Sequence, residues 1–391
     1  MTVNGSVQNN TLTIALGGRI DSVNAAQVEA AINEVLQAHS EDDTVLDLQE
    51  LEYISSAGLR VLLRIRKERP GLRLTNVSRD VYDIFEMTGF TEMMPVSRAF
   101  RVLSVEGCEV IGQGSNGVVY RIDPETIVKV YRDPDALPDI RRERELAKKA
   151  FVLGIPTAIP YDVVRVGDSY GSVFELLSAD SLSKLIAAEP ENIDKYIDIY
   201  TELLKKIHGT ELSPGDMPDM KAVALNWAAF LEGHLPADAH AKLVRLIEAV
   251  PEDHHMVHGD YHTKNVMLQD GEVLLIDMDT LCMGHPVFEF ASIYNAYIGF
   301  SELDHSVSPS FLGISHEAAV YIWEETVKRY FAGRSEEELE LIKKKAMLIG
   351  QMRILRRTIR RGGGKPEAQA QIETSRAHIL ELLPEIETLE L

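Results

Sequence analysis

Residues 257–280 read VHGDYHTKNVMLQDGEVLLIDMDT, and the fold of the longer part of the chain turns on how this stretch is read. Asp260 and Asn265 stand five positions apart in a polar loop. The apolar run at 273–276 is short enough for one buried strand, and it delivers Asp277 at its end. Oxygen ligands such as Asn265 and Asp277 suit a hard divalent cation. A carboxylate beside them, Asp260, suits proton removal from a hydroxyl. An Asp-x4-Asn pair by itself is common, so its weight depends on what precedes it.

Upstream, residues 110–120 read VIGQGSNGVVY, with Gly112, Gly114 and Gly117 in G-x-G-x-x-G spacing and Val119 following. β-branched neighbours, and TIVKV after Asp123-Pro124, put the glycines on a hairpin rather than at a strand-to-helix turn. Glycines let the backbone approach phosphate oxygens closely. Lys129 sits among apolar residues in the next strand, where a buried ammonium needs a partner or an anion. An edge-strand lysine reaching solvent is the plainer alternative. The pattern predicts a helix over 139–152 containing RRERELAKKAF, and Glu145 is chosen as the carboxylate that orients Lys129, with Glu143 the alternative. Two residues apart, they cannot face the same way. Glycine loop, strand lysine, helix glutamate, Asp-x4-Asn loop and strand-end Asp follow the order of a protein kinase.

The wording His258-Gly259-Asp260 with Ile276-Asp277 resembles the aminoglycoside phosphotransferase and choline kinase group over roughly residues 106–350. The resemblance implies ATP, Mg²⁺ and a small-molecule alcohol, amino-alcohol or aminoglycoside-like acceptor. It makes Asp260 the catalytic base and Asn265 and Asp277 the metal ligands. Gly112, Gly114, Gly117, Val119, Lys129 and Glu145 then serve the nucleotide. Backbone groups near 174–177, at Glu175 and Leu177, would hold the adenine. Gly259 replaces the arginine of HRD kinases and no Ala-Pro-Glu follows Asp277, so control by a phosphorylated activation loop is not expected. Asp279 is a further carboxylate with no assigned role.

Ahead of this region, residues 11–16, 44–48 and 72–77 read as strands and 24–38, 59–68 and 79–87 as helices, with a last extended piece at 93–96. That alternation predicts an α/β layer. GGRIDSVNAAQVE and VLDLQELEYISSAGLRVLLRI resemble the STAS domain of anti-sigma-factor antagonists. The resemblance makes Ser56 a phosphoacceptor candidate, with Ser55 where the family usually has Asp, and an anti-sigma-factor-like protein a partner. A phosphate at a helix N-terminus would meet free N–H groups; equally, Ser55 or Ser56 is a good N-cap. The expected fold is therefore an α/β STAS domain, residues 1–102, plus an α+β bilobal protein-kinase-like domain, residues 103–391. Its N-lobe runs to about 178 and its C-lobe from about 179. Residues 97–106 contain no Pro-rich or Gly/Ser-rich spacer, so the two should abut.

The net charge of −21 argues against general affinity for nucleic acid or anionic lipid and suits a cationic or neutral partner. No run approaches the roughly 18 apolar residues of a membrane span. The opening MTVNGSVQNN is unlike a signal peptide, and two cysteines make no disulfide framework; a cytoplasmic setting is expected. His254, His255, His258 and His262 lie in a loop and are not read as a zinc site. Gly362-Gly363-Gly364-Lys365 lacks the rest of a phosphate loop and reads as a break between helices. Arg353, Arg356, Arg357, Arg360 and Arg361 form a stripe at helical spacing, read either as pairing with acidic surface or as docking an acidic or phosphorylated group. Three functions compete. A small-molecule kinase with a regulatory STAS module leads. A protein serine kinase acting on a STAS serine follows, either Ser56 itself, most easily in trans within a homodimer, or that of a partner, and a nucleotide-binding scaffold without turnover is third.

Overall fold

The computed structural model describes the chain apart from residues 9, 40–42, 115, 178, 270 and 363–365 and the side chains at 366 and 367. The 362–365 run thus lies, except for Gly362, outside the described residues. Two compact units form, one of residues 1–104 with 163–168, the other of 105–162 with 169–391.

In the first unit, strands β1 (Thr2–Gln8), β2 (Thr11–Ile20), β3 (Asp43–Asp47), β4 (Leu51–Ile54), β5 (Arg73–Val77) and β6 (Val96–Arg98) form one sheet. Its order is β1-β2-β3-β5-β6, with β4 also on β2; β1–β2 is antiparallel and the remaining pairs are parallel. Helix α1 (Ala25–Ala38) buries Ala25, Val28, Ile32 and Leu36, one stripe at helical spacing. Helix α2 (Ser56–Glu68) is capped by Ser55, whose hydroxyl accepts from Gly58 N–H, while Ser56 itself is exposed as the first helical residue. Cap and phosphoacceptor candidate are thus different serines. Helices α3 (Arg79–Met87) and α4 (Phe90–Met93) follow. The extended piece expected at 93–96 is instead the end of α4 and the start of β6, because Phe90 buries itself on a helical turn against Phe85. Strand β1 carries no alternation to announce it, being polar and largely exposed.

After the two-residue β7 (Arg101–Val102), the second unit begins with β8 (Glu109–Gln113), β9 (Gly117–Arg121) and β10 (Thr126–Tyr131). Helix α5 (Leu137–Val152), β11 (Asp162–Val166), whose residues from Val163 on are counted with the first unit, and β12 (Ser169–Glu175) follow. Strands β8-β9-β10-β12 are antiparallel neighbours, so β10 is an interior strand and Lys129 is not an edge lysine. The rest is helical around two small ladders. In chain order these are β13 (Asp180–Ser181), α6 (Leu182–Ala188), α7 (Ile193–His208), α8 (Met220–Phe230), α9 (Ala237–Glu248), β14 (Met256–Val257), β15 (Val266–Gln269), β16 (Glu272–Leu275), β17 (Cys282–Met283) and α10 (Pro286–Tyr294). Helices α11 (Val307–Phe311), α12 (His316–Tyr330), α13 (Glu336–Gly362) and α14 (Pro366–Leu382) complete it. Every residue of α10 from Val287 to Tyr294 is buried, and α13 packs along it. The acidic first turns of α13 are solvated, but from Ile342 onward its apolar residues enter the core. No described helix is long and apolar enough to cross a membrane.

Candidate active site

The strand β16 ends at Leu275, and the chain then turns sharply: Asp277 has φ +64°, the left-handed region that a non-glycine residue seldom enters. That strained turn points its carboxylate at Lys129, whose Nζ lies 2.9 Å from Asp277 Oδ1. The same ammonium lies 3.2 and 3.5 Å from the two oxygens of Glu143. Burial opposes the lysine charge, but Asp277 and then Glu143 outweigh it and hold Lys129 protonated well above its ordinary range. Burial likewise works against Asp277, and Lys129 nonetheless lowers its pKa. Glu143 also accepts the Tyr131 hydroxyl at 2.6 Å.

The glutamate chosen from the sequence is thus corrected. Glu145 is exposed and pairs with Lys148 on its own helix. Glu143 shares a face of α5 with Ile140, Leu146, Ala147 and Ala150, all buried. An acidic residue three or four positions from apolar ones on either side was the available signal.

Above Lys129, Ile111, Val119, Ile127, Phe174, Met267 and Ile276 line a cleft of about 530 Å³ that also receives Gly114, Gly117, Glu175, Leu177, Asn265 and Asp277. Gly112 pairs with Val119 across the hairpin without entering this lining. Gly117 is obligatory for packing, since a Cβ there would lie 2.3 Å from the Val130 carbonyl oxygen. Gly114 has open space around it. The Leu176 N–H is committed to the Glu125 carbonyl, and Glu175 and Leu177 on either side of it line the cleft.

Asp260 lies in the loop between β14 and β15, its carboxylate part-exposed. Asn265 Nδ2 donates to the Asp260 carbonyl at 3.0 Å, a bond that does not involve its amide oxygen. His258 is fully buried, and its Nδ1 accepts the Asp260 N–H at 3.3 Å. His262 Nε2 lies 3.7 Å from Asp260 Oδ2, and burial lowers its pKa against the pull of Asp260. Gly259, the departure from HRD kinases, has φ +80°, and a Cβ would stand 2.7 Å from the Thr280 carbonyl oxygen. Any other side chain would strain this turn.

Residues 107–321, more than half of the chain, match the phosphotransferase enzyme family (APH). The chain belongs to that family. Its residues 3–102 match the STAS domain. Over 92 residues the chain is 38% identical to "Putative anti-sigma factor antagonist BtrV" of Bordetella bronchiseptica, 22% of this chain and 78% of that protein. Over 62 residues it is 37% identical to the anti-sigma-F factor antagonist RsfB of Mycobacterium tuberculosis, 16% of this chain and half of that protein. Among solved structures, a thermostable mutant of aminoglycoside phosphotransferase APH(4)-Ia in ternary complex with ADP and hygromycin B is 14% identical. It covers 72% of this chain and 94% of that one, with a TM-score of 0.51. A second structure of APH(4)-Ia covers 71% and 93%, with 14% identity and a TM-score of 0.50. At these identities the structures show the fold, which is the kinase-like one expected beside the STAS α/β layer.

Two features of this phosphotransferase escaped the sequence. Glu289, fully buried on α10, accepts the backbone N–H of His258, and that of Gly259 at 3.0 Å. A lone acid inside the apolar run PVFEFASIY was the signal. Burial works against its charge, yet His208, 3.7 Å away, and then His258 hold Glu289 below the ordinary glutamate range. Arg353 on α13 donates to the Gly259 carbonyl at 3.0 Å and to Ser292 Oγ at 3.1 Å, so the first residue of the arginine stripe braces the loop instead of pairing with acidic surface. A second cavity, about 830 Å³, adjoins the cleft, sharing Asn116 and Asp277 with it and reaching Asp260 and Asp279. Asn116 Nδ2 donates to Asp279 at 3.2 Å, and burial followed by the nearness of Asp277 pushes the Asp279 carboxyl up to about 7.

Proposed function

We propose that this member of the phosphotransferase family moves the terminal phosphoryl group of ATP to a hydroxyl of a small molecule, with Asp260 as base. One observation carries the reading. Lys129, clamped between Glu143 and Asp277, lies in a cleft that adjoins, through Asp277, the cavity holding Asp260. In this scheme the apolar slot takes the adenine against Val119, Ile127 and Phe174, with backbone at Glu175 and Leu177 as its polar contacts. Gly112, Gly114 and Gly117 shape the hairpin over the phosphates, and Lys129 contacts them. Asn265 and Asp277 offer hard oxygen donors on one side of the cleft, a set that fits Mg²⁺. Such an ion, when bound, supplies neutralisation of phosphate charge. Asp260 receives the hydroxyl proton as that oxygen bonds to phosphorus and the bond from phosphorus to the ADP oxygen breaks. A phosphate ester, ADP and one proton result.

Asp260→Asn keeps nucleotide affinity within about threefold while ADP formation falls by about 10²–10⁴. Wild-type turnover in that variant would sink the assignment. ADP formation by the wild type also separates this reading from a scaffold that binds without turnover. A second reading, a protein serine kinase, is supported by the exposure of Ser56 at the start of α2. Phosphate transfer from labelled ATP that persists unchanged in Ser56→Ala removes it. The STAS unit is then the docking module for an anti-sigma-factor-like protein, as the names of its relatives suggest.

A further inference from the structure

The acceptor cavity carries a charge that the acidic chain as a whole does not suggest. One wall is α13, which contributes Arg353, Arg356, Arg357 and Arg361. Arg353 is spent on the catalytic loop. No ion pair to Arg356, Arg357 or Arg361 is found among the described residues. The Nε of Arg356 is buried with no hydrogen-bond partner. Aromatic rings lie beside these guanidinium groups: Phe230 is 5.7 Å from Arg356 and Phe300 is 4.7 Å from Arg357. Stacking of this kind holds the planes and leaves N–H edges free for an oxyanion. The arginines also disfavour one another's charge. Burial first, then Arg360 and Arg353, lower the Arg356 pKa, and Arg357 responds in the same way to burial, Arg361 and Arg353 against the pull of Asp260.

We propose that the acceptor is an anionic alcohol, a hydroxyl compound bearing a phosphate or carboxylate, bound with its hydroxyl at Asp260 and its oxyanion on Arg356, Arg357 and Arg361. The proposal rests on the phosphotransferase reading and names the substrate class for its site. An oxyanion there relieves the repulsion along the stripe, whereas an ammonium would add to it. Scale follows from the helix. Arg357 lies one turn beyond Arg353, which touches the residue beside Asp260, so about 6 Å of axial rise separates them. A compound with a handful of atoms between hydroxyl and anion spans that gap. A carboxylate and a phosphate monoester are both read by the same forked donors, and the experiment distinguishes them.

The full-length protein, holding Mg²⁺ and a non-hydrolysable ATP analogue, is titrated calorimetrically with glycerol 3-phosphate, glycerate, glycerol and choline. Binding of one anionic probe, at least about tenfold tighter than glycerol or choline and weakened about ten- to a hundredfold in Arg357→Gln/Arg361→Gln, is the expected result. Which anion binds better identifies the source of the charge. Steady-state ADP formation with the same panel should place the loss mainly in acceptor KM, with a smaller change in kcat. Choline binding tighter than both anions, no binding of either anion, or equal binding by wild type and double variant overturns the proposal. Because binding is read without turnover, these outcomes stand apart from the Asp260→Asn test, whose failure would instead remove the phosphotransferase reading.

Discussion

At the scale of single residues, Glu143 and Glu145 make the sharpest comparison. Glu143→Gln removes the carboxylate that holds Lys129 from α5, and we expect kcat/KM for ATP to fall about 10–100-fold. Glu145→Gln breaks only an exposed contact with Lys148 and should stay within about twofold. Initial rates across ATP concentrations compare the two; equal losses would contradict the placement of Lys129. Gly259→Ala puts a Cβ against the Thr280 carbonyl at positive φ, and should destabilise the protein by about 1–3 kcal/mol in denaturant titration while lowering activity. The motif order brought Lys129, Asn265 and Asp277 to one cleft and Asp260 to the cavity beside it, because Lys129 lies within a strand and the other three lie in loops or just past a strand end, at fixed spacing. The glutamate was not legible in the same way. Its choice depends on which face of α5 turns inward, and that is decided by Ile140 and Ala147, not by distance along the chain.

Among the elements, α10 and α13 hold the loop that carries Asp260. Glu289 on α10 satisfies two backbone N–H groups, so Glu289→Ala leaves both orphaned in the interior and should cost about 3 kcal/mol or more. The pH dependence has a definite sign. The folded pKa of Glu289 lies below its unfolded value, so its stabilisation is present above the unfolded pKa and is lost as pH falls through the folded one. Wild type should therefore lose thermal stability more steeply than Glu289→Gln as pH falls through and below the ordinary glutamate range, and the variant starts from a lower Tm at neutral pH. Scans at half-unit steps measure both slopes; parallel slopes would mean that Glu289 is not the group responsible. The helices read from periodicity at 24–38, 59–68, 79–87 and 139–152 are α1, α2, α3 and α5, each with an apolar stripe, whereas those after residue 180 were not read one by one. Strand β1 was not legible, because an exposed strand lacks the alternation that burial imposes. The destination of the arginine stripe was also hidden: spacing shows that the residues share a face, not what that face adjoins.

For the molecule as a whole, each unit has its own core. Leu12, Ile32, Leu46, Leu62 and Phe85 belong to one, and Tyr200, Tyr261, Phe290 and Trp323 to another. We expect calorimetry to resolve two unfolding transitions. MgATP analogue at a hundredfold excess over its Kd should stabilise the phosphotransferase unit by about 2.7 kcal/mol and shift that transition. A shift of the STAS transition in its place would put the nucleotide in the wrong unit. The chain's excess of acid, which suited a cationic or neutral partner when read from composition, says nothing about the cavity beside Asp260, because net charge is a sum over the whole surface and recognition is local.

The grip of Arg353 on the Gly259 carbonyl has a consequence for how such a protein can change. The helix that supplies the residues facing an incoming compound is also bolted to the turn that aims Asp260. Remodelling its C-terminal turns, from Arg356 onward, can retune preference without touching the bolt. Moving or re-registering the whole helix would loosen catalysis at once, so new specificities are accessible by exchanging side chains on α13 but not by replacing it.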